Sequence, residues 1–168
     1  MNEQRMTLQS VRVRNFKAIV DSRTVRFGPL TAFIGHNGSG KSSLIEALET
    51  YQTIIVDGLD VAMQRWLGIE HVRHLGAEAK ERAGKALNAI TFELTIGASV
   101  RRSTRLEMTV NNDPAANRMF IAMEKAAHAN GWIVGRALER AEGTGTFEPG
   151  RSILERATDG HRKVASQV

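Results

Sequence analysis

The octapeptide Gly35-His36-Asn37-Gly38-Ser39-Gly40-Lys41-Ser42 fits G-x-x-x-x-G-K-[ST] and constrains this chain more than any other stretch. Leu30-Thr31-Ala32-Phe33-Ile34 precedes it, an apolar and β-branched run that predicts a buried strand. Ser43-Leu44-Ile45-Glu46-Ala47-Leu48-Glu49 follows it and predicts the first turns of a helix. Strand, glycine loop and helix together make a cradle for phosphate. Loop N–H groups and the positive end of the helix dipole converge on the anion, and glycine lets the backbone approach it closely. In such a loop Lys41 reaches the β- and γ-phosphates, and the Ser42 hydroxyl takes a Mg²⁺ position.

A chain of 168 residues is long enough to bury a core and fits the length of one domain. No run of 18 apolar residues occurs, so no membrane span is expected. The polar Met1–Ser10 stretch lacks the apolar core of a secretory signal. The absence of cysteine excludes disulfides, thiolate metal sites and a Cys nucleophile. A cytoplasmic location is the expectation. The formal net charge is +5. Arg5, Arg12, Arg14, Lys17, Arg23 and Arg26 gather before the glycine loop, and Arg101, Arg102 and Arg105 in the middle. That balance suits a polyanion such as DNA, although alternation as in Val11-Arg12-Val13-Arg14 equally describes the wet face of a strand.

Period-two alternation predicts strands over Leu8–Arg14 and Thr24–Phe27, with a turn around Asp21-Ser22. Gly28-Pro29 breaks the chain before Leu30. Ser42 to about Val56 predicts a helix, and the stretch from Leu59 to Gly84 is helix-prone, anchored by Trp66, Leu67, Ile69, Val72 and Leu75. Ile90–Ile96 and Arg105–Val110 alternate as strands. Between Arg118 and Arg140, Met119, Met123, Ala126 and Ala127 fit a helical stripe, yet Asn130-Gly131 is a hairpin signal, and we read a hairpin. Ser152-Ile153-Leu154 predicts a last short strand.

Thr53-Ile54-Ile55-Val56-Asp57 imitates an apolar strand ending in a metal-holding Asp. It follows the glycine loop too closely. A strand beside the loop's own strand needs a crossover of a dozen or more residues, so Asp57 belongs to the helix or its end. His71 and His74 stand at i, i+3 without a third ligand of matching context, which predicts an exposed helix face rather than a metal site. No catalytic residue is identified.

Val11-Arg12-Val13-Arg14-Asn15-Phe16-Lys17, together with Phe33 to Leu48, resembles the N-terminal lobe of AAA-type, ABC-type ATPases of the RecF/SMC/OLD group, which serve DNA repair, chromosome maintenance and phage defence. The likeness covers about the first third of the chain. It implies an α/β fold: a P-loop NTPase half-domain (strand–P-loop–helix) over residues 1–87, then an antiparallel β lobe of the same domain over 88–168. It also implies ATP and Mg²⁺ as cofactors. Gly35, His36, Asn37, Gly38, Ser39, Gly40, Lys41, Ser42 and Ser43 would bind nucleotide, with Ser42 on the metal and Asn15, Phe16 and Lys17 near the nucleotide. Such ATPases carry a signature motif, an acidic metal-holding strand and a switch His in a C-terminal half, and none is found here. The expectation is therefore an ATP-binding N-terminal part, not competent for efficient hydrolysis alone. Its partners would be a C-terminal half or second ATPase subunit, and DNA bound without sequence preference. Two alternatives stay open: a self-sufficient P-loop kinase or NTPase, and a non-enzymatic nucleic-acid-binding module.

Overall fold

The computed structural model describes residues 6–74, 89–99, 102–113, 116, 118–128, 133–137 and 150–152. Expectations for Arg5, Leu75, Arg101, the Asn130-Gly131 turn and Ile153-Leu154 lie outside them.

One antiparallel sheet organises the described residues. Its strands are β1 (Thr7–Phe16), β2 (Ile19–Asp21), β3 (Val25–Arg26), β4 (Ile90–Ser99), β5 (Arg102–Asp113), β6 (Arg118–His128) and β7 (Ile133–Ala137). Their order is β2-β1-β4-β5-β6-β7, with β3 also on β1. The sheet therefore joins the two halves of the sequence directly, through the β1–β4 pairing of Val11 with Leu94 and Val13 with Phe92. Alternation decides the faces. Val11, Val13, Phe92, Leu94, Leu106, Met108 and Val110 point into the core, while Arg12, Arg14, Glu93, Arg105 and Glu107 stand between them on the opposite face.

Three helices cover the apolar face: α1 (Lys41–Asp57), α2 (Leu59–Gln64) and α3 (Ile69–Val72). Leu44, Ala47, Tyr51 and Ile54 recur at helical spacing and form the buried stripe of α1. Tyr51 and Phe16 both pack against Phe92, at ring-centroid distances of 5.6 and 6.1 Å. Each such aromatic contributes about 1.5–3 kcal/mol through burial. Burial also raises the pKa of the Tyr51 hydroxyl, and Glu124, nearby and 1% exposed, adds to the shift. Ser152 donates a hydrogen bond to Glu124, and Leu59 N–H donates to Gly150 C=O, so residues 150–152 are fastened to both β6 and the start of α2.

Most expected elements are present, with three differences. First, β2 was not expected: the chain turns at Lys17-Ala18, before the expected turn at Asp21-Ser22. Secondly, the helix-prone stretch from Leu59 contains two short helices, α2 and α3, and Leu67 between them is 82% exposed and no anchor. The expected hairpin around Asn130-Gly131 agrees with the pairing of β6 and β7, Ala127 opposite Ile133. A bulge leaves Ala122 unpaired, since Thr109 faces Met123 and Val110 faces Ile121. The extra residue shifts the buried side from Ile121 to Glu124 and Ala126, so the strand departs from a strict period of two.

The third difference is a correction. Leu30–Ile34 is no strand and is not buried: Leu30 is 92% exposed and Ile34 95% exposed. The strand–P-loop–helix unit thus consists here of loop and helix. The cause is topological. β4 takes one edge of β1, and β2 and β3 take the other, so no place beside β1 is left. A parallel place would require a crossover, and among the described residues every strand pairing is antiparallel.

Candidate functional site

The glycine loop runs directly into the N-terminus of α1. Gly38 and Gly40 have φ of 79° and 87°, a region that side-chain-bearing residues rarely enter. Gly40 is constrained twice, because a Cβ there would lie 3.2 Å from Ile19 Cγ1. The Ser39 N–H donates to His36 C=O at 3.3 Å, and the Leu44 N–H donates to Gly40 C=O at 3.0 Å, opening the helix. No side chain caps this end and no acidic residue lies in its first turn. The first-turn N–H groups and the positive end of a 17-residue helix therefore face outward, uncompensated by protein.

The Lys41 ammonium turns back over the loop. It donates to Gly35 C=O at 2.7 Å, His36 C=O at 2.6 Å and Ser39 Oγ at 3.2 Å. That geometry holds a cation over the concave side of the loop. Ser42 is exposed in the first helical turn, whereas Ser43 is 8% exposed and faces the core. A cavity of about 490 Å³ opens beside the loop. Gly35, His36, Ser39, Gly40 and Lys41 line one side, and the β1–β2 turn with β2, from Ala18 to Ser22, lines the other. Its size suits a small-molecule ligand. The residues fit a nucleotide with Mg²⁺: an uncapped helix end, a cation over the loop and an exposed hydroxyl beside it.

Asn15, Phe16 and Lys17 lie elsewhere. Phe16 is fully buried, and the Asn15 amide donates to Ala89 C=O at 3.1 Å. Lys17 pairs with Glu46 at 2.8 Å and sits 3.3 Å over the Trp66 ring. Asn15 and Lys17 both have positive φ, 56° and 48°. That backbone lets Lys17 N–H donate to Val72 C=O and Asn15 C=O accept from His74 N–H. The element thus docks the end of α3 onto the sheet. The sequence signal for this role was weak: an Asn at a strand end, a residue type that tolerates the left-handed region.

His74 Nδ1 lies 2.6 Å from Lys17 C=O, which ties the ring to that turn. Among the described residues no cluster of His, Asp and Glu is arranged to hold a metal ion. Asp57 is the last residue of α1, followed by Gly58 at φ 95°, so the strand-like run before it is helix, as expected.

The expected basic surface is largely neutralised on the open face of the sheet. Arg12 bonds both oxygens of Asp21, at 2.9 and 2.6 Å. Arg14 and Arg105 converge on Glu93 at 2.7 and 2.9 Å, and Arg105 also reaches Glu107 at 2.8 Å. The Arg12 hydrogen bonds, foremost among the causes, hold the Asp21 carboxyl well below its ordinary value.

An AAA ATPase domain family model matches residues 6–53, under a third of the chain. The match spans β1 to β3, the glycine loop and most of α1, which are the parts that build the cavity. Neither a curated protein nor a solved structure matches the chain. No helix among the described residues is long and apolar enough to cross a membrane. Over residues 6–53 the chain is similar to an AAA-type ATPase, a likeness that carries ATP as the nucleotide and Mg²⁺ as its usual companion.

Proposed function

We propose that this chain binds Mg²⁺-ATP between the glycine loop and the β1–β2 turn, as the nucleotide-binding part of a cytoplasmic ATPase of the RecF/SMC/OLD kind. The carrying observation is the uncapped α1 N-terminus behind Gly38 and Gly40, with Lys41 poised over the loop and a cavity of about 490 Å³ beside it. Loop N–H groups of Asn37 to Lys41 bind the β-phosphate, and Lys41 exchanges its bonds to Gly35 and His36 for phosphate oxygens. Ser42 offers its hydroxyl to Mg²⁺. When bound, the metal supplies charge neutralisation across the β- and γ-phosphates.

Efficient hydrolysis requires acidic groups contributed by a C-terminal half or a second subunit. Two observations support this part of the reading. Asp57 ends a helix, and Asp21, the acidic residue that lines the cavity, is held by both its oxygens on Arg12. The apolar Leu30–Ile34 run stands exposed where a neighbouring strand would cover it. DNA association enters as a phosphate-only, sequence-independent contact. Because Arg12, Arg14 and Arg105 are held by carboxylates, that contact is assigned to none of them.

Calorimetric titration with Mg²⁺-ATP tests the binding. Lys41→Ala removes charge-assisted hydrogen bonds worth about 2–3 kcal/mol, so affinity should fall about 30-fold or more. Equal affinity in wild type and variant overturns the assignment.

A further inference from the structure

We infer that His74 is a positioning residue for the nucleotide site, because it holds the turn that forms one wall of the cavity. The inference rests on the nucleotide reading above. The turn is Lys17-Ala18, closed by the paired residues Phe16 and Ile19. Turn positions that need a positive φ favour glycine, asparagine or aspartate, yet Lys17 takes a φ of 48° here. Asn15, two residues earlier, takes 56°. A lysine stays in that region only where its surroundings outweigh the strain.

The backbone of this turn is held from the end of α3. Lys17 N–H donates to Val72 C=O at 2.6 Å, and His74 N–H donates to Asn15 C=O at 3.1 Å. The third bond joins His74 Nδ1 to Lys17 C=O at 2.6 Å. A carbonyl oxygen only accepts, so Nδ1 carries the proton. The Lys17 ammonium is fixed separately, on Glu46 and over Trp66. Of the three bonds to the turn's backbone, only the His74 ring contact is made by a side chain, so one substitution removes it.

The same turn reaches the site. Ala18 to Ser22 line the cavity. Ile19 is 7% exposed and packs so close to Gly40 that a Cβ there would lie 3.2 Å from its Cγ1. A shift of the turn therefore moves the wall against the glycine loop, one residue before Lys41. Without the His74 bond the Lys17 backbone relaxes toward negative φ, and fewer molecules keep the wall in place. Apparent affinity falls with that fraction. His74 does not itself line the cavity, so it acts through the turn.

Calorimetric titration with Mg²⁺-ATP of the wild-type chain, His74→Ala, His74→Leu and His74→Asn tests this. Losing one neutral hydrogen bond shifts an equilibrium by about threefold to tenfold, so the Ala and Leu variants should bind that much more weakly. Leu keeps bulk in place of the ring and serves if the Ala variant fails to fold. Asn carries an amide N–H near the place of Nδ1 and should bind within about twofold of wild type. A merely structural histidine would lower the unfolding midpoint and leave the affinity of the folded chain unchanged. Unchanged affinity in the folded Ala or Leu variant therefore overturns the inference while nucleotide binding stands. So does an Asn variant as weak as Leu. Failure of the wild type to bind Mg²⁺-ATP overturns the inference together with the reading beneath it.

Discussion

Asp21 shows how single residues shape the site from behind. It holds Arg12 in a two-oxygen ion pair and braces the turn that forms one cavity wall. Its folded-state pKa lies below its ordinary value of 3.8, so the pair's stabilisation is fully present above about pH 4. It is lost as pH falls through the depressed folded-state value. Asp21→Asn should therefore be less stable than wild type at neutral pH, with the gap in denaturation midpoint narrowing steadily below about pH 4. A gap that stays constant into acid contradicts this account. Much at this scale was legible in the sequence. The Arg residues of Val11-Arg12-Val13-Arg14 are on the wet face that alternation implies. Lys17 was not legible as it stands, because its partners Glu46 and Trp66 come from α1 and from the turn after α2. No local pattern announces a contact made across so long a separation.

At the scale of elements, α1 agrees with its pattern to within a residue at each end, because the glycine loop, the apolar stripe and Gly58 all mark it. β1, β4 and β5 stand where expected but run two or three residues further at one end or both. β6 was ambiguous because the bulge at Ala122 breaks its period, a feature set by the pairing with β5. Leu30–Ile34 is the instructive failure. Its residues have strand propensity, yet propensity supplies no partner, and the sheet around β1 is full. This yields a prediction. Since Leu30 and Ile34 are almost wholly exposed, Leu30→Ser with Ile34→Ser should change the unfolding free energy of the chain by no more than about 0.5 kcal/mol per site. Such a change should also reduce self-association, which an exposed apolar segment promotes. A loss above about 2 kcal/mol in equilibrium denaturation would mean that the run is buried in solution.

For the whole molecule, the proposed function makes this a chain that binds nucleotide better than it turns it over. The glycine loop runs into an uncapped α1 beside the β1–β2 turn, while Asp57, the acidic residue that in sequence imitates a metal holder, ends α1. Turnover of ATP by the chain should fall far below the ordinary enzyme median of about 10 s⁻¹, and Asp57→Ala should leave nucleotide affinity nearly unchanged. Steady-state phosphate release near that median would overturn the reading.

On the proposed function, nucleotide binds where the glycine loop faces the β1–β2 turn. Backbone amide chemical-shift mapping tests it most directly, with Mg²⁺-ATP titrated into the isotopically labelled chain. The largest shifts should fall on Gly35 to Ser43 and on Ala18 to Ser22. Amides of Asn15, of Glu93 and of Arg105 should move little. Large shifts centred on Glu93 and Arg105, with the Gly35–Ser43 amides unmoved, would contradict the account.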